Sequence, residues 1–269
     1  MLKSYAFRYA SSLAAAFEDS PAPAQIPATV LAFAEAQPPG NGETAGAPNL
    51  WQTQQEVETI RKILGRAAVK IMEGDWARDR RWQNDLGQYT VLHFAGHSEA
   101  QNADPLSSRI ILAERPTETR SLYAFEIFAM HLPRGRLTFL SSCNTAAGIL
   151  RGSEGLQGFT QAFRAAGIPS VIGSLWPVDT ETSSTLAARF YLYLRDGESA
   201  AAALRHAKLS LLEGDKPNPF FWAAFQYYGV NQTLRFQHSV NWPPFLSFFL
   251  LILLIGAIRK WRVRTLRHD

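Results

Sequence analysis

The sequence predicts an α/β protein built on a mostly parallel sheet with helices on both faces. Three observations lead there. Short, continuous apolar runs of strand length recur at residues 29–36, 67–72, 89–95, 136–143 and 169–176, as expected of strands buried on both sides rather than on one. The stretches between them place apolar residues at helical spacing. Glycine, proline and asparagine punctuate the boundaries, and strand alternating with helix is the pattern of parallel crossover units.

Taken in order, residues 1–20 carry Lys3 and Arg8 ahead of a weakly apolar, alanine-rich stretch. Its centre is too polar for a signal peptide, so residues 1–25 read as an amphipathic helix with a Pro/Ala linker. Residues 29–36 are the first strand, and the Pro- and Gly-rich stretch 38–48 is a loop. Leu50, Val57, Ile60 and Leu64 share a helical face that Gly65 ends. A strand at 67–72, a charged helix at 75–86 and a strand at 89–95 follow, the last ending at Gly96-His97-Ser98. A short strand at 109–113 and a helix at 123–130 lead into Arg136-Leu-Thr-Phe-Leu-Ser-Ser-Cys143, an apolar run that stops in small polar residues. Leu156, Phe159, Phe163 and Ala166 keep helical spacing up to Gly167. Residues 169–176 form a strand, Asp179 and Thr180 open a helix running to about Leu194, and 200–212 is a further helix. The aromatic run 220–229 is expected to close the sheet as its last strand.

Composition removes several functional classes. With 46% hydrophobic and 12% aromatic residues in 269, the chain can fill a sizeable core and is not disordered. The net charge of +4 is concentrated at one end: five of the 27 Lys and Arg, and one of the 23 acids, fall in residues 259–269, leaving 22 of each elsewhere. The body of the protein thus carries no electrostatic footprint for nucleic acid. One cysteine rules out a disulfide framework, and no Cys-x-x-Cys is present. His93 and His97 would lie roughly 13 Å apart on a strand, too far to share a metal. Without a phosphate-cradling Gly-Lys-Ser/Thr loop either, neither a metal nor a cofactor is expected.

Ligands of parallel α/β sheets sit outside the carboxyl ends of the strands. Three predicted strand ends there are polar: Gly96-His97-Ser98, Ser142-Cys143-Asn144 and Trp176-Pro177-Val178-Asp179. A lone cysteine is more often core packing than chemistry. A histidine at a neighbouring strand end changes that, because an imidazole can take the thiol proton and stabilise the thiolate. His97 is that histidine, whereas His93, inside the strand, reads as structural. Backbone N–H groups at the strand-to-loop turns, those of Ser98 and Cys143, are placed to meet a developing oxyanion.

These residues stand in blocks that resemble the CHAT domain family, caspase-like proteins related to separases. The blocks are His93-Phe-Ala-Gly-His97, Leu140-Ser-Ser-Cys143-Asn-Thr, Gly167-Ile-Pro-Ser-Val-Ile-Gly-Ser-Leu-Trp-Pro-Val-Asp179 and Pro219-Phe-Phe-Trp-Ala-Ala-Phe225-Gln226. With a Glu56-containing helix and Phe190-Tyr-Leu-Tyr they span roughly residues 26–230. The resemblance implies a caspase–haemoglobinase fold over 26–232 and the cysteine endopeptidase activity of clan CD. It makes His97 the general base and Cys143 the nucleophile, with the amides of Ser98 and Cys143 near the oxyanion. Related peptidases read a basic P1 side chain through an acid, which would make Asp179 that acid in the S1 pocket and Trp176 a pocket wall. Their bland roles, a helix N-cap for Asp179 and core filling for Trp176, stay open. The family usually carries glycine directly after the histidine; Ser98 stands there in this chain and would restrict the backbone angle. It is often fused to tetratricopeptide repeats, which this sequence lacks, so docking of a protein or peptide substrate, or of an activating protein partner, must come from other features. The alternative is a catalytically inactive, membrane-tethered interaction module. A third reading is an acyl hydrolase of small substrates using the same dyad.

Residues 245–258 are an almost unbroken apolar run bracketed by Trp242 and Trp261. As a helix rising ~1.5 Å per residue these tryptophans lie roughly 28 Å apart, close to the thickness of a hydrocarbon core. One transmembrane helix is therefore expected at 240–261, followed by a basic tail at 262–269. The tail favours the cytoplasm by its charge, while tail-anchored insertion would leave the enzyme domain there instead. A single cysteine nucleophile suits a reducing compartment, so the expectation is a single-pass membrane protein with its catalytic domain in the cytoplasm.

Overall fold

In the computed structural model, residues 2–10, 27–35, 51–72, 82–101, 103–115, 118–141 and 154–237 are described. They belong to one compact unit, Met1–Gln237. Its centre is a six-stranded sheet of β1 (Val30–Ala34), β2 (Val69–Met72), β3 (Val91–Ala95), β7 (Leu137–Leu140), β8 (Ser170–Ser174) and β9 (Phe225–Gly229), in the order β2-β1-β3-β7-β8-β9. Every neighbouring pair is parallel except β8 with β9.

The continuous apolar runs have a direct physical reading. Alternate side chains of each strand feed two separate cores, one on each face. Val30, Ala32, Val91, Leu137, Phe139 and Ile172 face the first core, while Leu31, Phe33, Leu92, Phe94, Leu140 and Val171 face the second. The first is covered by α1 (Trp51–Leu64), α5 (Thr180–Arg195) and α6 (Ala200–Leu212), through residues such as Ile60, Phe190 and Leu204. The second is covered by α2 (Trp82–Leu86), α3 (Ala124–Phe128) and α4 (Glu154–Ala165), through Leu86, Ile127 and Phe163. A strand with an apolar residue at every position can thus be buried twice, which an amphipathic strand could not be.

Three local expectations are corrected. After β3 the chain turns at Gly96 into β4 (His97–Glu99), which pairs antiparallel with β5 (Arg109–Arg115) and onward to β6 (Glu118–Tyr123). The polar stretch thus builds a second, three-stranded sheet where only one short strand was expected at 109–113. Its polar alternation hid it, because only one face is buried: Ile110, Leu112 and Leu122 join the second core. The start of the aromatic run 220–229 is helical, as α7 (Pro219–Trp222), and only its end is strand. Asn218 caps that turn by accepting from the amide of Phe220 at 3.0 Å, and proline occupies the first helical position. Residues 2–10 are a turn and an extended segment rather than a helix. Tyr9 pairs parallel to Tyr228 and exchanges backbone bonds with Tyr227 and Gly229 at 2.8 Å, which covers the β9 edge. The expected transmembrane helix at 240–261 and the basic tail at 262–269 lie outside the described residues, as does residue 143. Among the described residues no helix is long and apolar enough to cross a membrane.

Candidate active site

Strand order determines where a site can form. The chain leaves β1 for β2 on one side and returns past it to β3 on the other, so the carboxyl ends of β1 and β3 flank a topological switch point. The residues that follow these two strands are Glu35 and Gly96-His97.

They are in contact. The Glu35 amide donates to the carbonyl of Ala95 at 3.0 Å, which continues the β1–β3 pairing by one residue. Its side chain, 1% exposed, turns across the strand ends. There Oε2 accepts from the His97 backbone N–H at 2.7 Å and contacts Nδ1 of the same residue at 2.6 Å. A carboxylate can only accept, so Nδ1 carries the proton, and Nε2 is the nitrogen left to act as a base. The imidazole is 16% exposed, enough to be reached from outside.

β7 runs beside β3 in parallel, with Phe94 opposite Leu140, and the Ser141 amide donates to the carbonyl of Phe94 at 2.9 Å. The strand therefore brings the chain to the same sheet edge as His97, two residues before Cys143. Cys143 itself lies outside the described residues.

His93 is the opposite case. Its ring is fully buried, with Nε2 2.9 Å from Glu56 and Nδ1 3.2 Å from the Tyr191 hydroxyl. Ser184 donates to the second Glu56 oxygen at 2.9 Å. Burial, helped by the nearby Glu56 charge, holds the Tyr191 hydroxyl protonated well above its ordinary value. Both ring nitrogens are engaged inside the first core, so this quartet ties β3 to α1 and α5 and presents nothing to a substrate.

Ser98 is buried in β4 opposite Ile110. Among the described residues no non-glycine residue has a positive φ, so serine at 98 meets no conformational penalty. At the end of β8, Asp179 is the N-cap of α5: it accepts from the Thr182 amide at 2.9 Å and from the Thr182 hydroxyl at 2.8 Å. The Lys216 ammonium lies 3.9 Å from Asp179 and 3.9 Å from Glu181. Trp176 packs on the first core and donates from Nε1 to the carbonyl of Phe220 at 2.8 Å. No group of His, Cys, Asp and Glu among the described residues could hold a metal ion.

Glu35 is the residue that the sequence reading passed over. It stands at the end of an apolar strand, and the rule that singled out the other polar strand ends applied equally to it.

The model of the CHAT domain family matches residues 1–230. Human tetratricopeptide repeat protein 28 is 30% identical over 222 residues, which is 70% of this chain and 9% of that protein. The mouse protein of the same name is 34% identical over 107 residues, 39% of this chain and 4% of its own length. The chain thus spans less than a tenth of the curated relatives it matches. Two crystal structures of the separase–securin complex of Saccharomyces cerevisiae align over 78% of this chain and 13% and 12% of theirs. Their identities are 14% and 15% and their TM-scores 0.46 and 0.47, a likeness too loose to argue from.

Proposed function

The chain belongs to the CHAT domain family, and on that premise we propose that it is a caspase-like cysteine endopeptidase whose general base is His97 and whose nucleophile is Cys143. One observation carries the reading: at the switch point of a parallel sheet, a buried carboxylate holds a partly exposed imidazole through Nδ1, beside the strand that leads into Cys143. Nε2 takes the proton of the Cys143 thiol, the thiolate attacks the scissile carbonyl, and the imidazolium returns the proton to the leaving amine. The amides of Ser98 and Cys143 donate to the oxyanion.

The test is cleavage of a proteome-derived peptide library by the wild type and by Cys143→Ala and His97→Ala. Both variants lose cleavage while keeping the wild-type unfolding temperature; full activity in either one sinks the dyad.

Asp179 with Trp176 forms the S1 site for a basic P1 residue in this proposal. The carboxylate already serves Thr182 and has Lys216 close by, so an incoming cation shares it, and the preference for Arg or Lys is modest. Residues 240–261 anchor the protein as a single span with the peptidase domain in the cytoplasm. Flotation with liposomes of the full chain, but not of a chain ending at residue 237, is the expected result. Equal flotation of both removes the anchor.

A further inference from the structure

We infer that Glu35 is the positioning residue of this site: by accepting from both the backbone N–H and the Nδ1–H of His97, it sets the tautomer and ring orientation that make Nε2 the base. The inference rests on the peptidase reading for its consequence, but its geometry stands without it.

The carboxylate has no other partner among the described residues, and both of its contacts fall on one histidine through the same oxygen. A latch between β1 and the β3–β4 turn would need only the backbone contact; the second, to the ring at 2.6 Å, also determines which nitrogen is protonated. The neighbouring glycine supports this. Gly96 has φ +151°, and a Cβ there would lie 2.6 Å from Oε2 and 2.7 Å from Cβ of Glu35. Only a residue without a side chain lets the carboxylate lie against the turn that carries His97.

The internal comparison points the same way. β3 and its extension hold two carboxylate–imidazole pairs, Glu56 with His93 and Glu35 with His97. The first engages both ring nitrogens in a ring with no exposure. The second engages Nδ1 at the open end of the sheet, where the ring is partly exposed. During turnover Glu35 keeps its contact with the ring. It accepts from Nδ1–H while Nε2 takes the thiol proton, stabilises the resulting imidazolium, and keeps the ring in place until the proton passes to the leaving amine.

The experiment has two independent readouts on the full chain. Nitrogen-15 NMR of His97, assigned by comparison with His97→Ala, gives tautomer and titration midpoint. The wild type shows the Nδ1–H tautomer, and Glu35→Gln, which keeps an oxygen in place but removes the charge, moves the midpoint to lower pH by about one unit or more. In peptide cleavage, Glu35→Gln and Glu35→Ala lower kcat by about 10²-fold or more with little change in KM, and the limb of the pH profile governed by the imidazole shifts with the NMR midpoint. A wild-type Nε2–H tautomer overturns the inference even where no variant folds. An unchanged midpoint in folded Glu35→Gln, or a kcat within about twofold of wild type, overturns it as well. If Cys143→Ala and His97→Ala cleave normally, the peptidase reading falls, and the tautomer and midpoint still decide the role of Glu35.

Discussion

Lys208 offers the sharpest test of how this fold tolerates charge. It lies on the buried face of α6 with Leu204, Ala207 and Leu211, only 7% exposed. Burial pushes its ammonium down from 10.5 to about 8. At 1.36 kcal/mol per unit, holding that charge in the native state near neutral pH costs about 3 kcal/mol. Below about pH 8 both states are protonated and the cost is complete; between about pH 8 and 10.5 the unfolded chain binds more protons at this site, so stability rises with pH. About 2 kcal/mol returns by about pH 9.5. Tyr227 and Tyr228, pushed up to about 12 mainly by burial, act in the other direction above pH 10, because the unfolded chain then ionises first and stability falls. Urea denaturation of the wild type therefore shows a rise from about pH 8 to about pH 9.5 and then a decline. Lys208→Met keeps the aliphatic stem and removes the ammonium: it is more stable than wild type by about 1–3 kcal/mol near neutral pH, and the gap closes toward pH 10. A variant that is no more stable at neutral pH, or whose advantage is the same at both pH values, refutes the reasoning.

His93→Ala leaves the buried Glu56 carboxylate with Ser184 and strands the Tyr191 hydroxyl. Its expected loss is about 3–5 kcal/mol by chemical denaturation, and a loss below about 1 kcal/mol would show that water enters the quartet. Asp179→Ala removes the α5 cap, lowering stability by about 1 kcal/mol and the unfolding temperature by a few degrees. In the same variant, an unchanged preference for Arg and Lys at P1 removes Asp179 from the S1 site, and a reduced one keeps it there.

The material of the two cores was legible in the amino-acid pattern. Val30–Ala34 is apolar at every position and Val91–Ala95 at every position but His93, the pattern of strands covered on both faces, and the helices between them follow from spacing. The same rule brought His97 and Asp179 to the ends of predicted strands, and His93, four residues before His97, to the interior. Weak alternation left β4, β5 and β6 nearly invisible, since strands with one solvated face resemble polar loop. Likewise Asn218 and Pro219 overrode the strand propensity of the aromatic residues after them, because a cap and a preset φ act locally and first.

Which polar residues meet depends on how the strands pair. Glu35 and His97 are separated by 62 positions, and their contact exists because β1 and β3 became neighbours across the switch point. Strand order is set by how two cores close over one sheet, a property of the whole chain that no local pattern records. Hydrophobic periodicity reports which face a residue takes, whereas a hydrogen bond 2.6 Å long depends on the register of strands far apart in sequence. The imidazole was therefore legible from its strand end, and the carboxylate that orients it became so only once the strands were paired.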